Sequence, residues 1–215
     1  MNFINLHTHS FTASNSVMEV VNQYPLEFNS QIPYYSIGIH PWKIMPKTTD
    51  SELQIIEQKI QTAACLAIGE CGLDKRIDTE LDLQIDLFKK QIYLAEKYKK
   101  PIIIHCVAAH QELIEIKKKC KVTVPMIVHG FSKNEQLAKQ LLAHGFYLSF
   151  GKYLMQNTDV MATFKSVPTH GFFLETDSSA YTIQSIYDQA ALIKGLDLVT
   201  LQKQVQLNFK SVFNI

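Results

Sequence analysis

The chain has 215 residues, 47% of them hydrophobic and 19% charged, with a formal net charge of +1. These ordinary globular values allow one large core, and the near-neutral balance excludes a global field pulling the chain toward nucleic acid or an anionic membrane. Four cysteines without a C-x-x-C pair exclude a disulfide scaffold, and no signal-peptide pattern or apolar run near ~20 residues is present, so a cytoplasmic protein without membrane contact is expected.

From the amino terminus, short apolar runs alternate with amphipathic Gln/Lys/Glu-rich segments, the pattern of βα units on a parallel sheet. Eight runs read as strands: 3–7, 17–22, 35–39, 65–70, 101–105, 126–129, 146–150 and 172–176. Only about ten residues separate each of the first three, where a whole crossover needs at least ~10–12. Helices fill the later gaps at 51–64, 79–99, 109–119, 133–143, 155–166 and 183–194, and a last one spans 198–213. In the second of these, Leu83, Leu87, Ile92 and Leu94 make an apolar stripe, acidic residues open it, and lysines and Pro101 close it. The basic run Lys117–Lys121 ends a helix, so it reads as a solvated helix end rather than a nucleic-acid patch. No linker or internal repeat divides the chain. Residues 1–215 therefore read as one α/β domain, a TIM-type (β/α)8 barrel with trimmed first βα units, slightly short against the usual ~250 residues.

The polar exceptions stand where strands end. Residues two apart on a strand share a face, so His7 and His9 present two imidazoles to one side. Further apolar runs end in Glu70, His105, His129 and Asp177. The carboxyl ends of barrel strands are where this fold places chemistry. Four imidazoles and two carboxylates exceed one four-coordinate zinc with an open position. They suit two divalent cations ~3.5–4 Å apart with one bridging carboxylate, an arrangement that activates a shared water and clamps a phosphodiester. Imidazole with carboxylate tolerates zinc, manganese or magnesium, so the donor types leave the metal open.

Six motifs run in order along nearly the whole chain: Leu6-His7-Thr8-His9, Gly38-Ile39-His40-Pro41, Ile68-Gly69-Glu70-Cys71-Gly72-Leu73-Asp74, Pro101-Ile102-Ile103-Ile104-His105, His129-Gly130-Phe131-Ser132 and Glu175-Thr176-Asp177. With Asn208-Phe209 and Phe213 near the end, the set resembles the TatD family of metal-dependent hydrolases, the TatD-type DNases. The resemblance implies a binuclear barrel with His7, His9 and Asp177 on one metal, His105 and His129 on the other, and Glu70 as the bridge. It also makes Asp177 the acceptor of the attacking water's proton. Three positions depart from the family pattern. Asn5 stands for its aspartate, Cys106-Val107-Ala108 lacks its arginine, and Ser178-Ser179 replaces its proline. Strand alternation puts Asn5 and Glu175 beneath the site, where a hydrogen bond between them is expected to support it.

His40, on the same rim, is expected to contact a substrate phosphate or oxyanion rather than a metal. Lys43, Lys75, Arg76, Lys133 and Lys152 follow strands, as do Trp42, Phe131 and Tyr153. These read either as a grip on nucleic acid or as loop charge and loop packing. Cys71 and Cys106 neighbour ligands but alternate away from them. Three functions compete: a phosphodiesterase trimming single-stranded nucleic-acid ends, a binuclear hydrolase of a small-molecule amide, lactone or phosphate ester, and a metal-holding barrel that only binds. No protein partner is implied.

Overall fold

The computed structural model describes residues 3–214. Eight strands form one sheet as neighbours in sequence order: β1 (Phe3–Thr8), β2 (Val17–Gln23), β3 (Tyr35–Ile37), β4 (Cys65–Asp74), β5 (Ile102–Val107), β6 (Met126–Val128), β7 (Phe146–Phe150) and β8 (Phe172–Leu174). Every strand pair with a described register is parallel, and just beyond β8 Asp177 bridges back to Thr8 of β1. This is the TIM-type (β/α)8 topology that the sequence pattern implies. Ile102, Ile103 and Ile104 are all fully buried, as a parallel strand covered on both faces requires.

The helices are α1 (Thr49–Lys59), α2 (Leu81–Tyr98), α3 (His110–Lys119), α4 (Glu135–Ala143), α5 (Tyr153–Gln156), α6 (Thr158–Ser166), α7 (Ile183–Lys194) and α8 (Leu198–Phe213). Nothing helical joins β1 to β2, and one 3-10 turn at Pro25–Glu27 lies between β2 and β3, so the first βα units are trimmed. The helix expected over 155–166 is two helices. Asn157 takes an extended conformation and its side chain accepts from the N–H groups of Asp159 and Val160, capping α6 and breaking the run. Strand β4 continues to Asp74 instead of stopping at Glu70, because Gly72 pairs with His105 and Asp74 with Val107. Among the described residues no helix is long and apolar enough to cross a membrane.

The chain divides into two compact units, one made of residues up to Val21 together with Ile127 onward, the other of Asn22–Met126. In the first, the buried Tyr187 of α7 donates its hydroxyl to the Ile4 carbonyl and accepts from the Ile4 N–H (3.0 and 3.2 Å). One side chain thereby satisfies both backbone groups of a β1 residue, and burial pushes the phenol above its ordinary pKa. Phe164 of α6 stacks edge-on against Phe150 and Phe172, linking that helix to β7 and β8. In the second unit, α2 supplies two buried glutamines as substitutes for strand partners. Gln84 exchanges hydrogen bonds with the N–H and carbonyl of Asp74, and Gln91 does the same for Ile39. The ends of β3 and β4 are thus fixed by a helix where ladder bonds run out.

Candidate metal centre

In the first unit, β1 carries a register shift between Asn5 and Thr8. Within that stretch, His7 lies fully buried near the strand end. The Asp177 N–H donates to the His7 carbonyl (2.9 Å) and the His9 N–H donates to the Asp177 carbonyl (3.3 Å), so an isolated bridge to the end of β1, just beyond β8, carries Asp177 to the histidines. Asp177 takes a left-handed conformation at φ 53°, which aspartate tolerates better than most residues. Its Oδ1 is 3.8 Å from His7 Nε2 and 3.4 Å from His9 Nε2. The rings of His7 and His129 are 4.3 Å apart, and one donor atom from each of His7, His129 and Asp177 lies within 4.8 Å of the others.

Glu175 stands behind this group, fully buried. Its Oε1 accepts from the Gly130 N–H (2.7 Å) and faces His129 Nδ1 at 3.4 Å. The expected bond between Glu175 and Asn5 does not form. Asn5 instead donates to Thr176 Oγ1 (2.8 Å) and accepts from the Thr176 N–H (2.9 Å). The register shift in β1 is the physical reason: it interrupts the alternation that would have kept Asn5 on the face of His7.

In the second unit, Glu70 lies where the β4–β5 register shifts, between Ile68 and Cys71. Its N–H donates to Asn22 Oδ1 (2.6 Å) at the end of β2. Glu70 Oε1 gathers two imidazoles, His40 Nε2 at 3.0 Å and His105 Nδ1 at 2.9 Å. His40 Nδ1 accepts from the Trp42 N–H (3.0 Å), so in the neutral ring Nε2, the nitrogen facing Glu70, is the one that carries the proton. His105 Nε2 faces Asp74 Oδ2 at 3.2 Å, and the same oxygen accepts from the Trp42 indole N–H at 2.7 Å. Burial raises the Asp74 carboxyl, but hydrogen bonds from Trp42, the Arg76 N–H and His105 outweigh it and hold the pKa below its ordinary value. Gly72 makes the close strand approach possible: at φ +144°, a Cβ there would meet the His105 carbonyl oxygen at 2.0 Å.

The structure therefore brings His7, His9, His129 and Asp177 together in one unit, and Glu70 and His105, with His40, in the other. Asp74 and Asn22 are site residues that the sequence reading does not include, and Trp42, read there as a loop aromatic, is held by Asp74. A signal for Asp74 was present, since Glu70, Gly72 and Asp74 share strand parity once the strand is carried through the glycine. Of the residues weighed as a nucleic-acid grip, Lys43 pairs with Glu27 and Lys75 with Glu112. Phe131 is buried against Phe150, whereas Trp42 is 66% exposed. Cys71 is fully buried, and that burial pushes its thiol well up.

A family model described as TatD related DNase matches residues 1–214. The chain belongs to the TatD family. Over 237 residues it is 27% identical to the uncharacterized metal-dependent hydrolase BU355 of Buchnera aphidicola subsp. Acyrthosiphon pisum (strain APS), covering 97% of this chain and 88% of that protein. It is 28% identical over 218 residues to the uncharacterized metal-dependent hydrolase YabD of Bacillus subtilis (strain 168), covering 92% and 82%. The crystal structure of YjjV, a TatD homologue from Escherichia coli K12, superposes with a TM-score of 0.85 at 21% identity over 99% of this chain and 98% of that one, a likeness of fold. The TatD chain described here is a metal-dependent hydrolase. The donor sets fit that class. In each unit two imidazoles and a carboxylate bring one donor atom apiece within 4.8 Å of one another, a mixture suited to a borderline or hard divalent cation.

Proposed function

We propose that this TatD protein is a binuclear, divalent-cation-dependent phosphodiesterase that trims single-stranded nucleic-acid ends, a deoxyribonuclease of exonuclease type, with the whole chain acting as one hydrolase domain. The observation that carries the reading is the presence of an imidazole–carboxylate donor group in each unit, built on the ends of β1, β6 and β8 and on β4 and β5. His7, His9, His129 and Asp177 would hold cation in the first unit, and Glu70 and His105 in the second, with Glu70 keeping the bridging role of the family pattern. Divalent cations bound there would activate water and neutralise developing charge on a phosphodiester.

Asp177 is the residue that takes the attacking water's proton in this scheme. Its side chain is 24% exposed, whereas those of His7 and Glu70 are nearly or fully closed to solvent. His40 sits with its Nε2 against Glu70, and Asp74 orients His105. A small phosphate ester or amide is the second reading. It is favoured by the Lys43 and Lys75 ion pairs and by Cys106-Val107-Ala108 where the family carries arginine.

The test is degradation of an end-labelled single-stranded oligonucleotide with magnesium, manganese or zinc, beside Asp177→Asn. Stepwise shortening from one end, lost in the variant, is the expected result. Intact oligonucleotide with every metal, in protein shown to hold cation, would sink the nuclease reading and leave the small-molecule one.

A further inference from the structure

Trp42 is the chain's only tryptophan, and neither the fold nor the donor groups account for the way it is held. It stands in the 3-10 turn Pro41–Lys43 that follows β3, with His40 as the cap. Three hydrogen bonds fix the turn and the ring. The Trp42 backbone N–H donates to His40 Nδ1 (3.0 Å), its indole N–H donates to Asp74 Oδ2 (2.7 Å), and the Lys43 N–H donates to the His40 carbonyl (2.9 Å). The indole meets the His40 imidazole at 82° with centroids 5.0 Å apart, and the His105 imidazole at 75° with centroids 5.7 Å apart. It therefore touches two members of the His40–Glu70–His105 donor group and shares the Asp74 oxygen with His105.

An indole at a surface ordinarily buries its apolar body and turns its polar end toward water. Trp42 does the reverse. Its N–H is turned inward to the buried Asp74 carboxylate, while the residue stays 66% exposed. Both imidazoles meet it near right angles, so neither covers a face of the ring by stacking. A tryptophan serving only to cover the site would bury its body, and a chance surface residue would not be anchored at both its backbone and its ring. Because the ring is already oriented, a ligand that stacks on it carries little ordering cost. Lys43, next in the chain, is turned to Glu27 (2.8 Å) and lies over the Tyr24 ring (3.6 Å). What this turn offers a substrate is thus flat aromatic surface rather than charge.

The group that a fixed, exposed ring recognises is another planar aromatic ring, here one attached close to the bond being cleaved. Resting on the phosphodiesterase reading, we infer that Trp42 is the stacking platform for the nucleobase next to the scissile phosphate, and so a specificity-determining residue. The base lies against the indole, beside the donors of Glu70 and His105. Every base has a π-face, so the platform distinguishes a base from none and chooses little among the four.

Thymidine 5′-monophosphate and 2-deoxyribose 5-phosphate share the phosphate and sugar, and only the first carries a base. Each is titrated by calorimetry into protein loaded with magnesium, manganese or zinc, and the ratio of their Kd values isolates the base. The nucleotide is expected to bind about tenfold more tightly, the scale of one base on an aromatic ring. It is also expected to quench the fluorescence of the lone tryptophan, which the sugar phosphate leaves unchanged. Trp42→Ala is expected to bring the ratio to about one. Trp42→Phe keeps a ring but cannot donate to Asp74, and it is expected to retain a preference for the nucleotide. A ratio near one in the parent, or one unchanged in Trp42→Ala, would overturn the platform. So would a loss in Trp42→Phe as complete as in Trp42→Ala, since the bond to Asp74 would then be what matters. A ratio that depends on Trp42, in protein that cleaves no oligonucleotide with any cation, would support the platform while refuting the phosphodiesterase reading. Oligonucleotide cleavage with a parent ratio near one would remove the platform and leave that reading standing.

Discussion

Replacing Gly72 by alanine tests whether the closeness of β4 to β5 is what holds Glu70 against His105. The added Cβ would lie 2.0 Å from the His105 carbonyl oxygen and 3.0 Å from its carbon, and φ is +144°, a conformation L-residues rarely adopt. The backbone conformation alone costs of order 1–3 kcal/mol. The clash is with backbone rather than a flexible side chain, so the strands must spread, adding about 1–3 kcal/mol of overpacking. Together these give about 2–6 kcal/mol, which for a chain of this size lowers Tm by roughly 4–24 °C. Gly195 is the internal control. It ends α7 at φ +65°, yet a Cβ there meets nothing within 4 Å, so Gly195→Ala should cost only about 1 kcal/mol. Thermal unfolding followed by circular dichroism separates the two. Equal losses for Gly72→Ala and Gly195→Ala would refute the steric argument. A folded Gly72→Ala protein with undiminished cation affinity would show that β4–β5 spacing does not set the position of Glu70.

Other consequences are equally direct. Glu175→Ala leaves His129 without the carboxylate behind its Nδ1, and cation affinity measured by titration should fall about 10–100-fold. Tyr187→Phe strips both partners from the backbone of buried Ile4 and should cost about 2–4 kcal/mol in chemical denaturation, while a loss below ~1 kcal/mol would mean that water or a shift of β1 replaces them. Glu96 is raised by burial but more strongly lowered by the Val124 N–H and the Thr123 hydroxyl and N–H, so its folded pKa lies below its unfolded value of ~4.3. Its contribution is therefore complete above that value and disappears as pH falls toward the folded pKa. Glu96→Gln should cost about 1 kcal/mol at neutral pH, with the gap to the parent narrowing below pH ~4 in urea unfolding.

Much of the site was legible because its residues interrupt apolar runs. His105 after three isoleucines and His129 after Ile127-Val128 have no reason of packing to be there, and the structure places both among carboxylates. What stayed hidden has local causes that periodicity does not carry. Gly72 looks like the end of a strand, yet β4 runs through it, and with that the same-face placement of Asp74 was missed. A strict period of two puts Asn5 on the face of His7, and the register shift in β1 breaks that period. Asn157 reads as an ordinary helix residue until its side chain is seen capping α6. The paired roles of Gln84 and Gln91 depend on contacts between elements distant in sequence, and nothing in the sequence near them signals it.

The division of the chain bears on how each donor trio is drawn from the sequence. His40, Glu70 and His105 all lie within the contiguous stretch Asn22–Met126, so that trio draws on one uninterrupted piece of chain. His7 precedes its companions His129 and Asp177 by more than a hundred residues. A chain lacking Asp177 would keep every member of one trio and lose the carboxylate of the other.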